Sequence, residues 1–120
     1  MSKYILIESN VMQHKISLPQ LKKYDITQRV IEALADAESR VILFSIIRKG
    51  KTASDLSGSL KIPLSSVYKK LSDLENLTLV RVEKTILSEK GRRFKIYRSR
   101  INKAEISIKK PEPTLSLSAN

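Results

Sequence analysis

The chain has 120 residues, with 23 Lys and Arg against 12 Asp and Glu, a net charge of +11, no Cys, no Trp, four Tyr and two Phe. That length holds one domain with a modest core, which must be built mostly from Ile, Leu and Val. The lack of Cys excludes disulfides, thiolate catalysis and Cys-based zinc or redox sensing, and no apolar run approaches the ~18 residues that span a bilayer.

The first 25 residues read as an N-terminal arm of undetermined structure. Tyr4–Ile7 is apolar and suits a short strand or a packing arm; Glu8 breaks it, so it is no signal peptide. Over residues 11–24 the pattern is ambiguous, and Pro19 is expected to interrupt any helix there. From Ile26 the pattern turns helical. Ile26, Val30, Ala33, Leu34 and Ala37 recur at spacings of three and four, with Thr27, Gln28, Arg29, Glu32 and Asp36 opposite. A second helix is expected from about Ala37 to Arg48. It should be central, because Val41, Ile42, Leu43, Phe44, Ile46 and Ile47 leave it almost wholly apolar. Gly50, preceded by Arg48 and Lys49, is expected to end it.

Thr52-Ala53-Ser54-Asp55 has the spacing of a capping box, with the Thr52 hydroxyl accepting the Asp55 amide and the Asp55 carboxylate reaching back. The third helix should run to about Leu60. Lys61-Ile62 then make a turn, and Pro63 suits the first position of a fourth helix reaching about Asn76. Leu64, Val67, Leu71 and Leu74 form its expected buried stripe. Ser65, Lys69, Ser72 and Asn76 project from the opposite face, flanked by Ser66, Tyr68 and Asp73. Two alternating runs follow. Val80, Val82 and Lys84 share a face of the first; Phe94 and Ile96 share a face of the second. Residues 88–93 make the turn between them, with Gly91 free to take a positive φ. The tip and return strand carry Lys90, Arg92, Arg93, Lys95, Arg98 and Arg100. Residues 104–108 alternate again and are expected to add a short strand. Pro111, Pro113 and the Ser-rich end read as a disordered tail over the rest of 104–120.

The expected fold class is mainly α with a β-hairpin wing: four helices, two strands, and further short strands at both ends. The body spans 26–103. Its second half is a helix-turn-helix followed by a two-stranded wing, a device for placing one helix in the DNA major groove. The charge agrees. Residues 1–38 balance five cations with five anions and 104–120 balance two with two. Residues 39–77 carry seven against three, and 78–103 carry nine against two. A phosphate backbone is the obvious partner for a stripe confined to those 65 residues. An acidic protein or an anionic lipid would suit it too. The exposed face of the fourth helix is rich in hydroxyls, with a Tyr and a Lys, rather than in the Glu–Lys pairs of a merely solvated helix. Ser65, Ser66, Tyr68, Lys69 and Ser72 are therefore the candidate base-facing residues. Lys90, Arg92, Arg93 and Lys95 are the candidate backbone or minor-groove contacts from the wing.

The segment from about Ala35 to Arg98 resembles winged helix-turn-helix transcriptional regulators, above all the arsenic-repressor (ArsR) type and its archaeal relatives. Ala35-Asp36-Ala37-Glu38-Ser39-Arg40-Val41-Ile42-Leu43 is similar to the family's L-A-D-P-T-R-L-R-I-L opening. Leu64-Ser65-Ser66-Val67-Tyr68-Lys69-Lys70-Leu71 stands where the family has S-x-S-T-V-S-x-H-L. Leu77-Thr78-Leu79-Val80 resembles its G-L-V step, and Gly91-Arg92-Arg93-Phe94-Lys95-Ile96-Tyr97-Arg98 its G-R-x-x-x-Y-R. The resemblance implies a sequence-specific, double-stranded DNA-binding transcription regulator, cytoplasmic and on the nucleoid. The chain also departs from the family. Metal-sensing members carry C-V-C-D-L where this chain has Thr52-Ala53-Ser54-Asp55-Leu56, Lys61 replaces the usual turn Gly, and no dimerising C-terminal helix is evident after the wing.

No other chemistry competes. His14 stands alone, without an H-x-x-x-H spacing or a carboxylate cluster, and reads as a surface histidine. Asp36/Glu38 and Asp73/Glu75 read as helix electrostatics rather than acid–base pairs, and no Gly-rich phosphate loop is present. An enzyme, a cofactor, a metal or a membrane partner is not expected. A homodimer is, because two half-sites roughly 34–36 Å apart are the usual remedy for the few base contacts of one winged helix; Tyr4–Ile7 and the Ile26–Ala37 helix offer surfaces for it. The alternatives are a winged-helix protein-interaction module of a transcription or replication assembly, and a non-specific chromatin or RNA-binding protein.

Overall fold

The computed structural model describes residues 4–8 and 18–120. In chain order the elements are β1 (Tyr4–Glu8), α1 (Leu18–Ala35), α2 (Ala37–Ser45), α3 (Ala53–Leu60), α4 (Leu64–Asn76), β2 (Val80–Leu87), β3 (Arg93–Ser99), β4 (Ile101–Ser107) and β5 (Thr114–Ala119). β2 and β3 pair antiparallel as an isolated hairpin. β1, β5 and β4 form a second antiparallel sheet in that order. His14 lies outside the described residues.

α1 starts eight residues earlier than expected. Pro19 does not interrupt it, because it is the second helical residue, in the first turn where backbone N–H groups have no intrahelical acceptor. The phase also differs at one position. Val30 and Leu34 are buried as expected, but Thr27 is buried and Ile26 is half-exposed. Thr27, Val30 and Leu34 lie at i, i+3 and i+7, one helical stripe, and the Thr27 hydroxyl has no hydrogen-bond partner there. The Arg40 guanidinium donates to the carbonyls of Leu34 and Ala35 at 2.8 and 2.9 Å, satisfying the open end of α1.

Asp36 separates α1 from α2. It has extended backbone and caps α2, its carboxylate accepting the Ser39 amide at 3.0 Å and the Ser39 hydroxyl at 2.7 Å. α2 ends at Ser45, well before Gly50, and is buried on one side only. Ile42 and Leu43 are fully buried, as is Ile46 just beyond the helix, while Val41 and Phe44 are exposed on the outer side. Gly50 serves a different purpose from ending α2. Lys51 and Tyr97 exchange two backbone hydrogen bonds, of 3.1 and 2.9 Å, which draws the loop onto β3. A Cβ at Gly50 would meet Ile96 Cγ2 at 2.6 Å, so only Gly allows that approach.

One core joins everything. Ile42, Leu43, Leu56, Val67, Leu71 and Leu74 from the helices pack with Leu79, Val80, Tyr97, Ile101, Leu115 and Leu117. The last two belong to β5, so the C-terminal residues expected as a disordered tail instead supply the middle strand of the second sheet. The strand expected at residues 104–108 forms as part of β4, three residues earlier at its start.

Candidate nucleic-acid interface

The helix-turn-helix is set by local chemistry. The Thr52 hydroxyl accepts the Asp55 amide at 3.0 Å and caps α3; the return bond from the Asp55 carboxylate does not form. Lys61 takes the left-handed conformation, φ 56° and ψ 43°, where a Cβ is disfavoured and the resembling family places Gly. The turn is held by the Ser57 hydroxyl, which donates to the Ile62 carbonyl at 2.6 Å. Pro63 sits one residue outside α4, as its cap, rather than at its first position.

Val67, Leu71 and Leu74 bury one side of α4 completely. Leu64, expected in that stripe, is 41 % exposed, because it opens the helix and no turn before it covers the side chain. On the flank, the Lys70 ammonium donates to the Asp36 carboxylate at 2.7 Å and locks α4 to the start of α2. That bond, with those from Ser39, holds the Asp36 carboxyl at a pKa of about 2, below the usual 3.8. The same contact raises the Lys70 ammonium above its ordinary value. α4 ends in a left-handed Thr78, φ 61°, with the Leu79 amide donating back to Leu74. The chain thus enters the wing at the place where the resembling family has Gly.

With α4 fixed on that flank, its candidate base-facing residues separate by direction. Ser65, Lys69 and Ser72 are exposed, Tyr68 is half-exposed and Ser66 is partly buried. Tyr68 lines a cleft of about 240 Å³ with Thr52, Ala53 and Ser54 at the start of α3 and with Arg93, Phe94, Lys95 and Tyr97 from β3. Lys69 lines a different groove, of about 400 Å³, shared with α1 and α2. Tyr68 therefore leans toward the wing and Lys69 toward α1.

The wing is held from its root. Arg98 donates to the Ile47 carbonyl at 2.9 Å and to the Glu83 carboxylate at 2.7 Å, with Glu83 at a bulge in β2. Arg98 is committed to structure. Lys90, Arg92, Arg93 and Lys95 are all exposed, and none makes an ion pair among the described residues. At the tip the Gly91 amide donates to the Ser88 carbonyl at 2.9 Å and the Ser88 amide to the Arg92 carbonyl at 2.8 Å. Gly91 has φ 78°, as the turn requires.

Three further residues belong to this surface. Ser54 stands at the start of α3, while Phe94 and Tyr97 line the cleft beside Tyr68. The cap at Thr52 signals the first. Tyr97 is the motif tyrosine of the wing, but alternation alone does not tell which of Ile96 and Tyr97 faces the helices; both are buried. Burial, with Glu75 and Tyr68 nearby, pushes the Tyr97 phenol above its ordinary value, so it stays a neutral hydroxyl at neutral pH. Among the described residues no group of three His, Asp or Glu converges as a metal site, and no helix is long and apolar enough to cross a membrane.

No family model matches the chain, and no curated protein matches it. Solved structures do. NolR from Sinorhizobium fredii superposes with a TM-score of 0.56 at 20 % identity, covering 72 % of this chain and 81 % of its own. HlyU from Vibrio cholerae N16961, in its reduced form, gives 0.53 at 18 % identity, covering 69 % and 81 %. With four helices, a tight turn before the last and an antiparallel hairpin after it, the chain has the winged-helix fold of these proteins.

Proposed function

We propose that this chain is a sequence-specific, double-stranded DNA-binding transcription regulator of the ArsR type. It would act in the cytoplasm, bound to the nucleoid as a homodimer. One observation carries the reading: the hydroxyl- and Tyr-bearing face of α4 stands beside a wing whose four exposed cations have no acidic partner among the described residues. A cation left unpaired on a rigid hairpin is available to phosphate, and each phosphate it neutralises releases a counterion. α4 would enter the major groove, with Ser65, Ser66, Tyr68, Lys69 and Ser72 toward base edges or adjacent phosphates. Lys90, Arg92, Arg93 and Lys95 would follow the backbone or minor groove. The Lys70–Asp36 bond supports this by fixing the direction of α4. No catalytic role, metal or cofactor is part of the proposal.

The test is selection of bound duplexes from a random pool, then gel shifts of the selected and a scrambled duplex across a salt series. A regulator binds the selected site about 10³-fold or more tighter than the scrambled one at physiological salt. Equal, salt-sensitive binding to both would make this a chromatin-type protein. No binding at any salt would leave a protein-interaction module.

A further inference from the structure

The second sheet takes no part in the proposed DNA contacts, and it ends in an open strand. Among the described residues no strand lies beyond β4, which is the edge strand of its sheet. The strand is exposed from Lys103 to Ser107 apart from Ala104, which is half-buried. Ile106 and, just past the strand, Ile108 are exposed apolar side chains, 41 % and 73 % accessible. An open edge of this kind pairs with another strand unless its side chains forbid it.

Here the side chains forbid most partners and favour one. A second copy adding antiparallel across a two-fold axis puts one residue, the pivot, opposite its own copy. A pivot at Lys103 or at Glu105 sets like charges face to face. A pivot at Ile106 sets Glu105 against Ser107 and leaves Lys103 facing residues beyond the end of the strand, so neither charge meets its opposite. A pivot at Ser107 draws on residues 108–110, which have left the strand. A pivot at Ala104 sets Lys103 opposite the other copy's Glu105, twice, with a small side chain at the centre. Lys103 and Glu105 already share one face of β4, where the Lys103 ammonium lies 2.7 Å from the Glu105 carboxylate. The added copy would extend that pair into a square of alternating charges on an exposed face.

We propose that β4 is the dimer interface: two copies join β4 to β4 about Ala104, turning two three-stranded sheets into one of six strands. This names the surface for the homodimer proposed above and does not depend on DNA binding. It differs from the expectation that residues 4–7 or α1 form the contact, and it leaves α4 and the wing of both copies uncovered.

The test uses the full chain and the charge-reversed variant Lys103→Glu/Glu105→Lys. That variant keeps the in-strand ion pair with its charges exchanged, and a melting curve checks that it folds as the parent does. Alone, each protein should dimerise, because each finds opposite charges across the pivot. Mixed, they should exchange little, because a mixed dimer about Ala104 sets Lys against Lys and Glu against Glu, and a shift of the pivot to residue 103 or 105 offers one opposite pair in place of two. Native mass spectrometry of differently tagged chains at low salt should show mixed dimers depleted about tenfold or more below random pairing. Random mixing overturns the β4 interface while leaving a dimer through another surface. A parent chain that stays monomeric at tens of micromolar overturns both the interface and the dimer. A variant that folds but cannot dimerise alone overturns the Ala104 register. None of these outcomes touches the DNA-binding proposal, which the gel shifts decide separately.

Discussion

Gly50 and Gly58 differ in what a methyl group would meet, and the difference sets opposite signs for the same substitution. At Gly50 the added Cβ falls 2.6 Å from Ile96 Cγ2 and 3.1 Å from the Tyr97 carbonyl, so either the loop or β3 must shift. Gly50→Ala should cost about 1–3 kcal/mol, the usual range for overpacking, and lower the melting temperature. Gly58 lies within α3 with nothing within 4 Å of the new atom. Gly58→Ala should stabilise by about 0.5–1 kcal/mol, since Ala is the better helix former and holds less unfolded-state entropy. Equal effects at the two sites, measured by thermal melts, would mean that the loop does not approach β3 as described. Asp36 gives a pH-dependent counterpart. Its carboxyl has a pKa of about 2 in the folded chain against an ordinary 3.8. A depressed carboxyl contributes stability above its unfolded value and loses it as pH falls through the folded one. Asp36→Asn keeps a capping oxygen but gives up the ionic bond to Lys70. It should therefore melt below the parent at pH values of about 5 and above, with the gap closing between about pH 4 and about pH 2. Asp36→Ala also loses the cap, worth about 1 kcal/mol, and stays less stable than Asn throughout.

The wing and α4 should fail differently when changed, because their side chains are aimed differently. Arg92 and Arg93 leave a hairpin tip held only by its own turn, so as proposed phosphate contacts they have no packed surface behind them. Replacing both with Ala should weaken binding to every duplex alike and lower the salt slope by about 0.9 for each phosphate no longer neutralised. Tyr68 and Lys69 stand on a helix locked by Val67, Leu71, Leu74 and the Lys70–Asp36 bond. Replacing either should change which sequences are preferred, at about 1–3 kcal/mol for each base that the side chain ceases to read. Gel shifts against the selected site and its single-base variants separate the two outcomes. If the wing variant alters preference and the helix variants only scale affinity, the roles are reversed. At this scale the sequence is largely readable where a rule is local. The Thr52 cap, the Lys61 turn and the stripe of Val67, Leu71 and Leu74 follow from spacing alone. The burial of Thr27 and the exposure of Leu64, Val41 and Phe44 do not, because helical phase tells which residues share a face and not how far the neighbouring elements extend to cover it.

The whole molecule depends on a strand that no local rule identifies. Thr114–Ala119 reads Thr-Leu-Ser-Leu-Ser-Ala, an alternation that fits a strand but also a Ser-rich tail after two prolines. What decides is a partner at the far end of the chain: Tyr4 pairs with Ser118 and Glu8 with Thr114, while β4 pairs along the opposite edge. Such a pairing is invisible to periodicity, which is why residues 114–119 read as disordered while the helices do not. β5 also reaches the winged-helix half. The Asn120 side-chain amide donates to the carbonyls of Ile47 and Ser99, both at 2.9 Å, tying the C-terminus to the loop after α2 and to the root of the wing. Leu115 is fully buried in the shared core, so Leu115→Ala should cost about 2–5 kcal/mol and lower the melting temperature by roughly 10 °C or more. Ile108→Ser, at a 73 % exposed side chain in the same C-terminal segment, should change it little. Ending the chain at Pro113 removes the middle strand of the sheet, Leu115 and Leu117 from the core, and the Asn120 tie together. That form should lose its cooperative melting transition and, with it, the proposed DNA binding. A disordered tail predicts the reverse: the shortened chain, Leu115→Ala and the parent would all melt at the same temperature, and the shortened chain would bind the selected duplex as tightly as the full one.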